Sequence, residues 1–279
     1  MGARMIESVV NVSEGRDRAR IARIAGHAGS RLLDVHSDPD HHRSVLTIAG
    51  TDPAEVEEAT RSVVAAAVTE IDLRTHEGAH PRFGAADVVP FAPLPFGTES
   101  LEEALDARRR TARWIGTHLG VPCFLYGPER SLPDLRREAF SRLRPDTGPD
   151  RPHPSAGATA VGARPVLVAY NLWLDEDATL GDARALAAAV RTPVLRTLGL
   201  AVGSRVQVSC NLVAPATTGP DGAYRAIEGA ARTRHRSIEH AELVGLIPES
   251  VLRAIPHRRW ALLGLGASAT VESRLAARR

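Results

Sequence analysis

Between residues 6 and 126 the hydrophobic period of the chain switches between two and 3.6 in the order strand, helix, strand, strand, helix, strand, and few folds accept that order. Residues 6–12 alternate as a short strand, after which Ser13, Glu14 and Gly15 turn the chain into a helix with Ile21, Ile24, Ala25 and Ala28 on one face. Residues 32–35 and 44–48 read as strands on either side of a polar insert, 36–43. Asp52 is suited to cap a helix with Pro53 at its first position and Glu55 three residues on; Val56, Ala59, Val63 and Ala67 form its apolar stripe. Strand 88–91 follows, then a helix opened by Ser100 and Glu103 and carried by Leu101, Leu105, Ala112, Ile115 and Leu119, then strand 121–126. This succession predicts an α+β fold, a mostly antiparallel sheet with helices on one face, on the ferredoxin-like plan. A related succession restarts near Pro165, with strands at 166–174, 205–212 and 243–247 and helices at 180–190 and 223–238. Two ferredoxin-like subdomains, 1–160 and 161–279, are therefore expected, each of ordinary domain size.

Composition narrows the chemistry. All 35 Lys and Arg positions are Arg, which excludes a Schiff-base lysine, a pyridoxal phosphate anchor and a phosphate-loop lysine. Any carboxylate clamp must be a guanidinium. The formal charge is only +2, and Arg130, Arg136, Arg137, Arg142, Arg144 and Arg151 are interspersed with acids and prolines without an aromatic ladder. They read as solvated surface, and no nucleic-acid partner is expected. Cys123 and Cys210 lie in strand patterns rather than in a paired framework, which points to a reducing compartment. With neither a signal-peptide core nor a long apolar run, the expectation is a cytoplasmic protein without membrane partners.

Six of the 11 histidines lie at or before residue 80. His36, His41 and His42 stand among Asp34, Asp38, Asp40 and Arg43, and His76 and His80 stand beside Glu77 and Arg82. Loops at strand ends commonly gather into one site. His76-Glu77-Gly78-Ala79-His80 satisfies a zinc-hydrolase pattern that works only on a helix. Gly78, the following Pro81 and the missing apolar stripe argue against a helix there, so a metal-dependent hydrolase is the lesser alternative and no metal is expected. His80 is the preferred proton carrier, because imidazole exchanges protons near neutrality. Arg43, Arg82 and Arg164 suit carboxylate clamps or surface ion pairs, and Asp34 and Asp87 suit orienting an imidazole, binding an amine or capping a turn. Gly157, Ala158, Gly162, Ala163 and Arg164 read as a small-residue loop open to close ligand approach. Gln207, Ser209 and Asn211 alternate with Val206, Val208 and Cys210, so one strand face packs and the other hydrogen-bonds a planar ligand or solvent.

Taken together, the runs Asn11-Val12-Ser13-Glu14-Gly15-Arg16, Leu33-Asp34-Val35 with Arg43, and His76-Glu77-Gly78-Ala79-His80-Pro81-Arg82-Phe83-Gly84-Ala85-Ala86-Asp87 resemble the formiminotransferase family. The likeness continues through Gly157-Ala158, Gly162-Ala163-Arg164, Asn171, Gln207-Val208-Ser209, Asn211 and Glu242-Leu243-Val244-Gly245. The resemblance implies two subdomains with the ligand cleft between them, assembly as a homodimer, and transfer of a formimino group from N-formimino-glutamate to N5 of tetrahydrofolate, the co-substrate. It implies His80 as the catalytic base and then acid. Asn11, Arg43, Arg82, Gly157, Arg164, Gln207 and Asn211 fall in its substrate and folate surroundings, with Asp34, His36 and Asp87 in support. The chain departs from the family pattern at Val10, His36, Ala156 and Trp173, where the family has Pro, Asp, Trp and Asn. A diverged member using another formimino or formyl donor, or one binding ligand without catalysis, is the alternative that these departures raise.

Overall fold

The computed structural model describes residues 5–78, 82–94 and 101–278, and the chain divides into two compact units, Met1–Pro165 and Val166–Arg279. In the first unit the elements run β1 (Met5–Val12), α1 (Arg18–Gly26), β2 (Leu32–Asp38), β3 (Arg43–Gly50), α2 (Pro53–Glu70) and β4 (Ala86–Leu94). Their strands order β2-β3-β1-β4, all neighbours antiparallel, which is the ferredoxin-like arrangement. The chain continues through α3 (Leu101–Trp114), β5 (Cys123–Tyr126), α4 (Leu132–Glu138) and β6 (Thr159–Ala163). β6 inserts between β4 and β5, parallel to both, and extends the sheet to six strands.

α1, α2 and α3 cover one face, where Ile24, Val56, Val63 and Ala104 meet Val10, Leu46, Ile48 and Phe91. The short α4 lies on the opposite face, with Leu135 among Val88, Phe124, Tyr126 and Ala160, so this end of the sheet has helices on both sides. Asp52 caps α2 as its sequence predicts, accepting from the Ala54 amide with Pro53 in the first turn. Ser100, the other expected cap, lies outside the described residues.

Two segments differ from their sequence reading. The polar insert 36–43 is half strand and half turn: β2 runs on to Asp38, 39–42 turn, and β3 starts at Arg43. As the edge strand, β2 is exposed enough to carry polar side chains through its pairing with β3. The small-residue loop is also largely strand, because Thr159–Ala163 is β6, buried along its whole length. Its small residues answer to packing: a Cβ on Gly162 would lie 2.1 Å from the Tyr126 ring. The first unit therefore extends past residue 160 to Pro165. Gly162→Ala is expected to cost about 1–3 kcal/mol through overpacking, read as a lower urea midpoint with an unchanged m-value.

The second unit repeats the plan with β7 (Val168–Leu174), α5 (Leu180–Val190), β8 (Leu195–Val202), β9 (Arg205–Leu212), α6 (Pro220–Arg232) and β10 (Ile238–Val244), ordered β10-β7-β9-β8 and wholly antiparallel. Taken as β-α-β-β-α-β, each unit pairs its fourth strand with its first, its first with its third and its third with its second. β8 has no clear signal in the sequence. Gly199 interrupts it where a Cβ would lie 2.3 Å from the Ala183 backbone, and the exposed Arg196 and Leu198 alternate with the buried Leu195 and Thr197. Tyr170, Leu172, Val208, Cys210, Leu186, Tyr224 and Ile227 form the core of this unit. Both cysteines are free and buried, and burial pushes each thiol up to about 12. Among the described residues no helix is long and apolar enough to cross a membrane.

Candidate functional site

Loops at one end of the first sheet are sewn together by backbone hydrogen bonds. The Ser13 amide donates to Ala85 O (2.9 Å), its hydroxyl donates to Gly84 O (2.8 Å), and the Ala85 amide donates to Ala156 O (2.9 Å). Gly84 passes so close to the Ala158 carbonyl that a Cβ would lie 1.9 Å from its oxygen. Gly157 belongs to the same seam: its backbone pairs with Gly84, and its amide donates to His153 O (3.0 Å).

Asp87 is buried at the centre of this seam. It caps the preceding turn by accepting from the Phe83 amide, and its other oxygen receives Arg136 Nη2 at 2.5 Å. Arg136 stands on α4, so its sequence assignment to solvated surface is corrected: its half-buried guanidinium closes an ion pair on the buried Asp87. Arg43 lies in the same cluster and donates to Asn11 Oδ1. Burial lowers the Arg43 guanidinium from its ordinary value, with Asp87 opposing the shift and Arg136 adding to it. Burial also pushes the Tyr126 hydroxyl up, against the nearby Arg164 guanidinium. Arg108, buried on α3, donates to Tyr126 O (2.9 Å) and grips Glu129 with two bonds (2.6 and 2.7 Å), fixing the end of β5. Asn11, Arg43, Asp87, Arg136, Tyr126 and Arg164 thus make a region rich in guanidinium groups around one buried carboxylate. Such a region suits an anionic ligand.

Beside it runs a histidine network that begins at Glu14. Burial alone would raise this carboxyl, but the Arg16 and Asp17 amides and the Arg20 and His42 side chains outweigh it and hold Glu14 at about 2. His42 Nε2 lies 3.1 Å from Glu14 Oε1 and Nδ1 lies 2.7 Å from Glu77 O, while the ring stacks on His76 at 3.9 Å. Arg82 bonds to His76 Nδ1, His76 O (2.6 Å) and Gly78 O (2.7 Å), so it holds its own loop. His41 pairs with Asp38 at 2.8 Å, and although burial opposes the shift, His41 and the neighbouring amides hold Asp38 at about 2. Ser13, His41, His42, Arg43, His76, Arg82 and Asp87 surround a cavity of about 10 Å³, close to the size of one water.

These low carboxyl values fix a sign. A carboxyl depressed in the folded state contributes stability fully present above its unfolded value and lost as pH falls through its folded value. For Glu14 that window runs from 4.5 down to about 2, and for Asp38 from 3.8 down to about 2. Stability is expected to fall across this range, and Glu14→Gln is expected to flatten the fall, measured by urea midpoints at successive pH values.

The remaining expected site residues are spread more widely. Asp34 and His36 lie on β2 opposite Thr47 and Val45. Gln207 and Asn211 lie in the second unit, on the face of β9 turned away from its core: Asn211 is exposed, whereas Gln207 is fully buried with no partner for either amide atom among the described residues. Nearby, Asn171 Nδ2 and Trp173 Nε1 both donate to Glu242 Oε2, at 3.1 and 3.0 Å. His80 lies outside the described residues. His76 is extended rather than helical, so it does not form the helical zinc platform that its motif requires. Among the described residues no group of three or more His, Cys, Asp or Glu is arranged to hold a metal ion. Sequence reasoning named none of Arg136, Tyr126, Glu14 and His42 as a site residue. For Glu14 and His42 the signal was their place in the two polar turns, while Arg136 and Tyr126 gave none.

The N-terminal subdomain of the formiminotransferase domain matches residues 5–164. A glutamate formimidoyltransferase from Thermoplasma acidophilum is 34% identical, with 89% of each chain covered. One from Streptococcus pyogenes is also 34% identical, over 90% of this chain and 91% of its own. A formimidoyltransferase-cyclodeaminase from Dictyostelium discoideum is 31% identical over 90% of this chain and 52% of its own.

Proposed function

The chain belongs to the formiminotransferase family and is a transferase, and we propose that it moves a formimino group from N-formimino-L-glutamate to N5 of tetrahydrofolate. The observation that carries this reading is the gathering of Arg43, Arg136 and Arg164 around Asp87 and Tyr126, beside the loop that leads into His80. Glutamate and the folate tail are both carboxylates, and with no lysine in the sequence guanidinium forks are its permanent cations to hold them. The name of these relatives, glutamate formimidoyltransferase, supports the donor.

In the reaction, N5 of tetrahydrofolate attacks the formimino carbon while His80 takes the N5 proton. The tetrahedral carbon then expels the glutamate nitrogen, which receives a proton from His80. The products are glutamate and 5-formiminotetrahydrofolate, and the base ends as it began. Orientation supplies a large share of the effect, because two bound reactants meet as one oriented pair.

The test is an absorbance assay for 5-formimino- or 5,10-methenyltetrahydrofolate with both substrates, with and without a chelator. Folate-dependent product at equal rates in both is expected. Release of the donor's formimino group without folate, abolished by the chelator, would instead identify a metal-dependent hydrolase.

A further inference from the structure

We propose that His42 is a positioning residue, a charged latch that holds the segment leading into His80 against the β1–α1 turn, so that transfer depends on the protonation of a second histidine. The proposal rests on the reading of His80 given above. Both ring nitrogens of His42 face acceptors: Nε2 faces Glu14 Oε1 at 3.1 Å and Nδ1 faces Glu77 O at 2.7 Å. Neither a carboxylate nor a carbonyl can donate, so the imidazolium makes both hydrogen bonds and the neutral ring makes one. Glu14 is fixed from behind by Arg20 (2.7 Å) and by the Arg16 and Asp17 amides, which keeps it ionised as the latch's anchor.

The neighbouring ring is set up as a neutral partner. His76 Nε2 lies 3.2 Å from His42 O and donates to it, while His76 Nδ1 accepts from Arg82. Accepting from Arg82 requires His76 Nδ1 to be bare, burial and then the charges of His42 and Arg82 also lower His76, and its ring stacks on that of His42 at 3.9 Å with the rings 14° apart. The other titratable or charged neighbours are His41, paired with Asp38, and Arg43, bonded to Asn11. His42 also sits at φ 52, a left-handed backbone that points its ring from the β2–β3 turn to both partners. Residues 78 and 82, which bracket His80 in sequence, are both fixed by the Arg82 side chain. His42 fixes the same segment one residue earlier, at Glu77. Losing either bond would break the link that His42 makes between that segment and the β1–α1 turn.

The test uses the full chain labelled with 15N-histidine, read by long-range 1H–15N NMR, together with His42→Asn. Asparagine accepts the left-handed backbone but is too short to span both acceptors, so local strain is not what the variant tests. Both His42 nitrogens are expected to be protonated where transfer is fastest, with loss of one proton tracking the alkaline fall in kcat, while His76 holds its Nε2–H form throughout. In His42→Asn, kcat is expected to fall by about tenfold or more, as for a displaced catalytic group, with KM changed less than about threefold and faster amide exchange at residues 76–78. A His42 ring with one bare nitrogen at every pH of turnover overturns the latch, and so does a His42→Asn variant with unchanged kcat and exchange. His80→Ala separates the two claims: it should abolish transfer and leave the His42 spectrum intact. Retained transfer in that variant counts against the base and leaves the latch to stand or fall on its own readouts.

Discussion

Asp87→Ala is expected to destabilise the protein by about 3–5 kcal/mol, the range for removing one partner of a buried ion pair. Asp87 is 2% exposed, receives the Phe83 amide and Arg136, and is the carboxylate that supports the buried Arg43 charge. Without it two guanidinium groups are left close together in a region of low dielectric, and the turn that leads into β4 loses its cap. The strain should reach the seam formed by Ser13, Gly84 and Ala156, because that turn carries their hydrogen bonds. Removing Arg136 in the Asp87→Ala background, by Arg136→Met, should recover part of the loss, which a double-mutant cycle on urea midpoints measures. A loss below about 1 kcal/mol, the level of an exposed pair, would show that solvent already compensates these arginines.

The second large effect is on rate. His80→Gln is expected to lower kcat by about 10²- to 10⁴-fold, the usual span for a general acid–base residue, with the melting temperature nearly unchanged. Proton transfer in this reaction needs one group that takes a proton from N5 and returns one to the leaving nitrogen. Of the other histidines in the two polar stretches, three are committed to structure: His41 to Asp38, His42 to Glu14 and Glu77, and His76 to Arg82. Arginine stays protonated and cannot substitute. Steady-state kinetics at saturating substrates separate the cases, because loss of a base lowers kcat, whereas loss of a clamp raises KM.

Much of the fold was legible in the sequence because the first unit's strands and helices carry clean periods of two and 3.6 residues. Asp52 with Pro53 marked the start of α2, and Ile21, Ile24 and Ala25 marked the face that α1 buries. β6 was hidden because a strand beneath Tyr126 must use small residues, which read as a loop, and β8 because Gly199 breaks its pattern. Asn11, Arg43 and Asp87, which the sequence offers as candidates, lie in one cluster in the structure. Their partner Arg136 comes from a short Arg-rich helix, and no local pattern distinguishes an arginine that finds a buried carboxylate 49 residues away from one that faces water. Hydrogen bonding on both sides of His42 was equally invisible, since it depends on how three separate loops meet.

The most direct measurement follows the group itself. With the formimino carbon of N-formimino-L-glutamate labelled with 13C, NMR during turnover should show the signal leave the glutamate nitrogen and reappear on N5 of tetrahydrofolate, at a rate matching glutamate release and lost in His80→Gln. Label that appears instead as free formamide or formate, or that stays on glutamate in the presence of folate, would contradict formimino transfer as the activity of this chain.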